Sequence, residues 1–425
     1  MRVLTRITWV MLLVIGGCTK ETTLEPLPLD EFTVLEAIPV RCVEDPYTGG
    51  IIVLCKRAID DPVLASALFF DANGTAQGEL NFSGLNSKVE NITFGVEAWS
   101  ITDLVPRPDG TYLLIGVGIQ TAIDDRIHLL VHHVGRTGSA VEPPVRRFVA
   151  DKGTLVRATD TDELYRTKAL GALRDTERLV VAMRYDRQEG PIVAGYHRTY
   201  QIALVAGVGS NGGPPNELAN ADHLLHGLLA DGSGGTFTIT DTINPAGPGK
   251  ALKVIHDTWE NDVQQPMWAV LDLRDAVPTG FRMQNEELIL AGHYQVEADV
   301  RRPFFARGST ATDLQNGISY PLLASTDRTA LIGSLTPTND GFTVMCNIYD
   351  QAALSQRALR DDRFCDLISA QLASDGTVRS TTTIIPGKGL RALGAWAQGD
   401  LVAGAFHPFL NTDIMHAFVL RTTSY

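Results

Sequence analysis

The feature that most constrains the fold of this chain is a short unit, a polar turn followed by an apolar strand, that recurs along the sequence. Its clearest copy is the run Pro-Asp-Gly-Thr-Tyr-Leu-Leu-Ile-Gly-Val-Gly at 108–118. Seven copies align on one central apolar residue, with successive copies 51 to 67 residues apart and about 58 on average. Such a spacing is typical of repeat architectures, in which each repeat is one supersecondary unit. The central residues are Ile52, Leu114, Val181, Ile239, Leu290, Val344 and Val402.

Further strand-like segments recur around each copy, separated by turns rich in Asp, Gly and Asn. Residues 101–105 precede the second copy, for example, and residues 68–74 follow the first. No convincing helical periodicity extends over ten or more residues. Four strands joined by short hairpins and repeated at a fixed period predict an all-β fold, a seven-bladed β-propeller of four-stranded antiparallel blades. Packing blades face to face around an axis buries both faces of each sheet.

The end of the chain predicts how the ring closes. The last copy stops at residues 422–425, directly after its third strand, so its blade lacks an outer strand. Residues Phe32 to Leu35 precede the first strand of the first blade. We therefore predict that this N-terminal strand pairs with the strand at His416 to Leu420.

Residues 1–17 have the pattern of an export signal peptide. Arg2 and Arg6 precede an apolar stretch at 7–15, and two glycines lead into Cys18. The stretch is too short to span a bilayer, which needs about 20 apolar residues. The pattern resembles the lipobox of bacterial lipoproteins, which implies that Cys18 is lipidated; an ordinary secretory signal is the alternative. Residues 18–30 contain two prolines and predict an extended tether, which leaves 31–425 as a single propeller domain.

A wider resemblance rests on the turns of the repeat. The run from Ala67 to Gly74, followed by a strand and later by Asp109 to Gly116, resembles the degenerate repeats of bacterial β-propeller lipoproteins, especially those of Bacteroidota. The resemblance covers nearly the whole mature chain. It implies a lipid-anchored outer-membrane protein, on the periplasmic face or at the cell surface. Because the shared motif is turn chemistry, it predicts fold rather than activity.

Charge argues against one class of partner. The 425 residues carry a formal net charge of −13, which becomes −15 when Arg2 and Arg6 leave with the signal peptide. An acidic protein repels nucleic acid at long range, so we predict no nucleic-acid partner.

The cysteines fit an oxidising compartment. Besides Cys18 there are four, an even number, in two local pairs separated by 13 and 19 residues. We predict disulfides joining Cys42 to Cys55 and Cys346 to Cys365. Other pairings, or four unbridged thiols, are the alternatives.

Motifs for catalysis and metal binding are missing from the sequence. There is no Gly-x-Ser-x-Gly elbow and no Ser-x-x-Lys. His128 and His132 lie four residues apart but have no clear third ligand, so we predict no metal site. The glycine-rich run at 207–212 has neither a lysine nor a following helix, and we predict no cofactor.

A candidate binding face comes from acidic pairs that recur between the second and third strands. In a propeller these loops lie on one face, where carboxylates can bind a cation, a sugar or a basic partner. The alternative is that each Asp only turns its hairpin by bonding its own backbone. The pairs are Asp60 and Asp61, Asp124 and Asp125, and Asp361 and Asp362.

The longest insertions are predicted on the same face. Long loops on a rigid ring commonly carry the residues that recognise a ligand or partner. They are 186–200, 244–266 and 350–362. Aromatic groups in such loops stack on sugars or anchor protein interfaces. The candidates are Tyr196, His197, His256 and Trp259.

These observations predict a non-catalytic binding or scaffold module for an outer-membrane protein partner or a glycan. The alternative is a carbohydrate-active hydrolase or lyase whose carboxylates come from different blades. Propeller active sites of that kind are assembled across the ring and leave no local motif.

Overall fold

A computed structural model gives the fold of most of the domain. The residues it describes are 32–35, 37–45, 47–56, 64–82, 96–107, 109–120, 126–141, 145–151, 167–170, 178–187, 198–207, 216–220, 225–231, 236–257, 269–297, 300–325, 328–350, 365–385, 391–396, 401–406 and 416–421. Within these ranges, 28 strands form seven four-stranded antiparallel sheets.

The first strand of the chain belongs to the last sheet, and every other strand follows in chain order. The opening strand is β1 (Phe32–Leu35). Sheet one contains β2 (Ile38–Asp45), β3 (Gly50–Lys56), β4 (Ser66–Phe70) and β5 (Ala76–Asn81). Sheet two contains β6 (Val96–Pro106), β7 (Tyr112–Gln120), β8 (Arg126–Val134) and β9 (Val145–Asp151). Sheet three contains β10 (Thr167–Leu170), β11 (Arg178–Arg187), β12 (Arg198–Gly207) and β13 (Asn216–Asn220).

The second half of the chain repeats the pattern. Sheet four contains β14 (Leu225–Ala230), β15 (Thr236–Ile243), β16 (Lys250–Asp257) and β17 (Ala269–Leu271). Sheet five contains β18 (Val277–Gln284), β19 (Glu287–Glu297), β20 (Val300–Gly308) and β21 (Ile318–Ser319), with helix α1 (Ala311–Asn316) between the last two. Sheet six contains β22 (Arg328–Thr338), β23 (Gly341–Asp350), β24 (Asp366–Ala373) and β25 (Val378–Ile385). Sheet seven contains β26 (Arg391–Trp396), β27 (Leu401–Phe406), β28 (His416–Arg421) and β1.

The repeat and the closing strand are both confirmed. Each of the seven central apolar residues lies in the second strand of its own sheet. Strand β1 pairs antiparallel with β28, with Phe32 opposite Leu420 and Leu35 opposite Ala417. The N-terminal strand thus completes the sheet that the C-terminus leaves one strand short.

The sheets pack as the blades of a β-propeller. First strands of neighbouring sheets contact one another, β2 with β6, β6 with β10, and so on through β14, β18, β22 and β26 back to β2. The apolar core is divided into clusters that each lie between two neighbouring sheets. In β19, Leu288 and Leu290 face sheet four, while Ile289 and Ala291 face sheet six. Because both faces are covered, β19 is apolar from Leu288 to Ala291 instead of alternating with polar residues.

First strands share a β-bulge where they crowd together. The register skips one residue in six of the seven described first strands. At these points neighbouring strands touch: Thr279 Oγ1, in sheet five, donates to the Ile332 carbonyl of sheet six at 2.6 Å. A Cβ on Gly333 would lie 2.4 Å from the Ala392 oxygen of sheet seven. The unpaired residue of a bulge raises the local twist, which suits strands around an axis.

The turns have the predicted chemistry. Asp109 Oδ1 accepts a hydrogen bond from Thr111 N at 3.0 Å, and Asp375 Oδ1 accepts one from Thr377 N at 2.9 Å. The glycine between each pair, Gly110 or Gly376, has φ of +77° or +84°. Glycine adopts this left-handed conformation without the steric cost of a Cβ.

The predicted disulfides are wrong: none of the four cysteines in the described part of the chain is in a disulfide. The registers explain why. Cys42 pairs with Val53, two residues from Cys55, because the β2–β3 hairpin sets Asp45 opposite Gly50 and the register continues unbroken to Cys42. Cys346 pairs with Ile368, three residues from Cys365. A disulfide requires Cβ atoms about 3.5–4.5 Å apart, which in adjacent strands favours directly opposed residues.

No helix among the described residues is long and apolar enough to cross a membrane.

Candidate functional site

Every sheet has two distinct ends. The hairpin end carries the turns between first and second strands and between third and fourth strands. The loop end carries the connections between second and third strands and between successive sheets. Matching bulges of neighbouring first strands contact one another between sheets five and six and between sheets six and seven. The first strands of these sheets therefore run in the same direction, and their hairpin ends lie on the same side. The sites below are therefore assigned to one end or the other.

Most of the candidate residues predicted from sequence lie outside the described residues. The acidic pairs do follow second strands and precede third strands, so the chain order agrees with the predicted loops. The same holds for Tyr196 and His197, which fall between β11 and β12. Those outside the described residues are Asp60, Asp61, Asp124, Asp125, Asp361, Asp362, Tyr196, His197 and Trp259.

His256 is described, and the structure places it at the hairpin end of sheet four, not at the loop end. The supposed insertion 244–266 contains the third strand of sheet four, β16, and His256 lies near the hairpin end of that strand. Its Nε2 is 2.9 Å from Asp231 Oδ2, and its ring stacks on Phe237 with centroids 4.3 Å apart. These contacts fix the imidazole against its own sheet, away from the loop end.

The loop end of sheets four and five bears a concentration of exposed apolar groups. Four of the seven large apolar side chains exposed in the described residues belong to it. We call these four the loop-end patch. They are Ile243 (80% exposed), Val296 (44%), Tyr320 (56%) and Leu322 (71%).

Hydrogen bonds join the segments beneath the loop-end patch. Asp275 N donates to the Lys250 carbonyl at 2.8 Å, and Asp275 Oδ1 accepts from Lys250 N at 3.0 Å. Gln295 N donates to the Arg274 carbonyl at 2.8 Å. One continuous surface is thus formed by three segments: the end of β15, the link between sheets four and five, and the end of β19. Tyr320 joins it through Tyr294, with ring centroids 5.4 Å apart.

Basic side chains border the patch. An Arg302 guanidinium nitrogen donates to the Arg328 carbonyl, and Arg328 Nη2 lies 2.7 Å from Asp366 Oδ2. Arg301 reaches the Asp275 carbonyl at 3.5 Å, and burial lowers its pKa. Within the described residues, the border holds five basic groups (Lys250, Arg274, Arg301, Arg302 and Arg328) and five acidic ones (Asp241, Asp272, Asp275, Glu297 and Asp366). The two signs are therefore balanced in this part of the surface, whereas the whole chain carries −13.

A half-open cavity of about 260 Å³ lies at the opposite end, between sheets five and six. We call it the hairpin-end cavity. Its wall is formed by the β18–β19 and β22–β23 turns together with β20 and the turn after β24. The lining residues are Gln284, Asn285, Glu287, Ile289, Arg307, Asn339, Asp340, Gly341, Phe342 and Ser374.

No group of three or more potential metal ligands occurs within the described ranges. His132 is buried in β8, and burial lowers its pKa. The side chain of His128 lies outside the described part.

The fold and these surfaces define a β-propeller with two separate candidate binding regions. No family model matches the sequence, and no curated protein is significantly similar to it. Among solved structures, the chain is similar to a Trypanosoma rangeli sialidase, at 11% identity and a TM-score of 0.40 over 92% of this chain. It spans 58% of that sialidase.

Two other solved structures are similar at the same low level of identity. A Synechocystis apocarotenoid oxygenase variant is 9% identical with a TM-score of 0.45, over 83% of this chain and 73% of that one. An ulvan lyase is 10% identical with a TM-score of 0.37, over 83% of this chain and 96% of that one. No activity is transferred from these proteins, since unrelated functions share such folds.

Proposed function

We propose that this protein is a lipid-anchored, non-catalytic binding module of the bacterial cell envelope, and that the loop-end patch docks a protein partner. The observation that carries the proposal is the joined surface of Ile243, Val296, Tyr320 and Leu322 with its arginine border. Tyr and Arg are enriched among residues that dominate binding energy at protein interfaces. Contiguous apolar groups with a polar rim typically mark interaction sites.

The path of the chain supports this assignment. Phe32 pairs with Leu420, near the hairpin end of sheet seven, so the preceding segment enters the domain from that end. If Cys18 carries lipid, residues 18–31 reach at most about 45–50 Å when fully extended. Because the tether joins the domain at the hairpin end, the loop end is free to face away from the membrane. The loop-end patch is then presented to a protein and not to the bilayer.

The chemistry of the border specifies the partner further. Guanidinium groups pair well with carboxylates, and bidentate Arg–carboxylate contacts add geometric specificity. We infer a partner surface that combines an apolar anchor with Asp or Glu at its rim, most simply an outer-membrane protein. We also propose that the seven sheets are the seven blades of one ring, in keeping with the contacts of their first strands.

Affinity purification from the native envelope tests the docking proposal. Leu322→Asp places a charge in the patch at a side chain that is 71% exposed, so the fold tolerates it. The matched control is Val141→Asp, which changes a 50% exposed apolar residue on the hairpin-end side of sheet two. A stoichiometric partner should be retained by the wild type and the control and lost from Leu322→Asp. Retention by all three, or release from lipid vesicles by Leu322→Asp alone, would contradict the proposal.

The hydrolase or lyase alternative stays a prediction from sequence. Incubating the purified protein with envelope and algal polysaccharides, and measuring new reducing ends or unsaturated uronates, tests it directly.

A further inference from the structure

The hairpin-end cavity is a polar site that the docking proposal does not use. It lies at the other end of the sheets from the loop-end patch, between sheets five and six. Its volume of about 260 Å³ is slightly below the roughly 300–1,000 Å³ of sites for drug-sized ligands. A ligand the size of one sugar ring therefore suits it.

Several interactions hold the wall of the cavity in place. Arg307 forms an ion pair with Glu287 in the same sheet and donates to the Ser374 carbonyl of sheet six. Gly341 is packed so tightly that a Cβ there would lie 2.1 Å from the Leu372 oxygen. Beneath, Phe342 is buried and contacts Phe305 with ring centroids 5.2 Å apart. The cavity is thus built from fixed elements of two sheets.

The adjoining turn is strained. Asn285 and Glu286 have φ of +53° and +64°. Asn tolerates this left-handed region, but for Glu it is costly. Strained residues cluster at ligand sites, where the surrounding structure enforces them.

The charges of the wall exclude two ligand classes. The carboxylates of Glu287 and Asp340 would repel an anion. The Arg307 guanidinium would repel a divalent cation, and Glu287 is already paired with this guanidinium. The amides of Asn285 and Asn339 offer both donors and acceptors. Gln284 Oε1 is a buried acceptor with no hydrogen-bond partner among the described residues. The wall therefore suits a neutral ligand that donates and accepts at several points.

We propose that the hairpin-end cavity binds a neutral, polyhydroxylated ligand of monosaccharide size. Each sugar hydroxyl is both a donor and an acceptor, which matches a wall of amides, carboxylates and one guanidinium. Asp340 and Gln284 are the predicted acceptors for ligand hydroxyls. This site is independent of partner docking, so either proposal can fail without the other.

Calorimetric titration of the whole mature protein tests the site. The probes are glucose, galactose, mannose, rhamnose and N-acetylglucosamine, with inorganic phosphate and Ca²⁺ as the two charged classes. At least one neutral sugar should bind with a stoichiometry of one, and neither charged probe should compete with it. Asp340→Asn and Gln284→Met should each weaken that sugar at least tenfold.

The matched control is Glu286→Gln, which removes one carboxylate charge from the neighbouring turn without touching the cavity lining. It should bind the sugar as the wild type does, and thermal melts should show all three variants folded. The proposal would be overturned if none of the sugars binds. It would also be overturned if phosphate or Ca²⁺ binds and Asp340→Asn abolishes that binding, or if sugar binding is unchanged in both cavity variants.

Discussion

The close approach of first strands can be tested by adding a single methyl group at Gly333. This glycine is the extra residue of the bulge between Ile332 and Ser334, in the first strand of sheet six. A Cβ there would lie 2.4 Å from the oxygen of Ala392, 3.1 Å from its carbonyl carbon and 3.2 Å from its Cβ. No side-chain rotation relieves contacts with a backbone, so sheets six and seven must move apart.

The expected cost of Gly333→Ala has two parts. Overpacking of this kind costs typically about 1–3 kcal/mol. Moving Ala392 also strains the buried hydrogen bond from its backbone N to Asn347 Oδ1, now 3.1 Å long, and an unsatisfied buried group costs about 1–3 kcal/mol. Because this hydrogen bond is strained and not broken, only part of the second cost applies, and we expect a total loss of roughly 2–4 kcal/mol in the free energy of unfolding.

Thermal and urea denaturation measure this loss. An unfolding entropy of about 2.1 cal/mol/K per residue over roughly 400 residues converts ~3 kcal/mol into a fall of about 3–4 °C in Tm. Gly247→Ala is the matched control, because a Cβ at Gly247 would meet nothing within 4 Å. That change should be neutral or stabilise by up to about 1 kcal/mol. Equal melting of the two variants would refute the close packing of sheets six and seven.

Three further predictions follow from local features. Glu286→Gly should stabilise the protein by about 1 kcal/mol, because a two-residue hairpin with positive φ at both positions favours Asn-Gly; an unchanged or lower urea midpoint would argue against strain in this turn. Burial lowers the pKa of His132 in the folded protein. As pH falls below about 6.5, the usual pKa of histidine, the unfolded state therefore takes up a proton before the folded state does. The free energy of unfolding then decreases until the pH reaches the lower pKa of the folded state. Between pH 5 and 6.5 the stability of His132→Gln should fall less steeply than that of the wild type, and parallel curves would contradict this. Burial raises the pKa of Cys55 to about 12 and also raises the pKa values of Cys42 and Cys346. A Cys18→Ser protein should therefore react slowly with a thiol reagent at pH 8 when folded and expose four thiols in urea. Detection of fewer than four thiols in urea would show that a disulfide is present.

Sequence predicted the fold because the repeat is written in local chemistry. Turns such as Asp109-Gly110 follow directly from hairpin geometry, and apolar runs such as Leu288 to Ala291 in β19 follow from two-sided burial. The missing outer strand of the last repeat and the spare strand at Phe32 to Leu35 were enough to predict closure.

The sites were harder to predict because they depend on register and on contacts between sheets. The β2–β3 hairpin sets Cys42 opposite Val53 and not Cys55, and the spacing of the two cysteines does not reveal this register. The range 244–266 is predicted to be a long insertion, although the alternation of Leu252, Val254 and His256 within it is typical of a strand. The hairpin-end cavity joins residues almost a hundred positions apart, from Gln284 to Ser374, and only the packing of sheets five and six brings them together.

Site-specific photo-crosslinking in the native envelope tests the docking proposal most directly. A photoreactive phenylalanine analogue replaces Tyr320, which is 56% exposed in the loop-end patch, or Tyr47, which is 50% exposed at the hairpin end of sheet one. We expect the Tyr320 position to give one discrete crosslinked protein and the Tyr47 position to give none. Crosslinks from Tyr47 alone, or from neither position, would contradict a partner bound at the loop end.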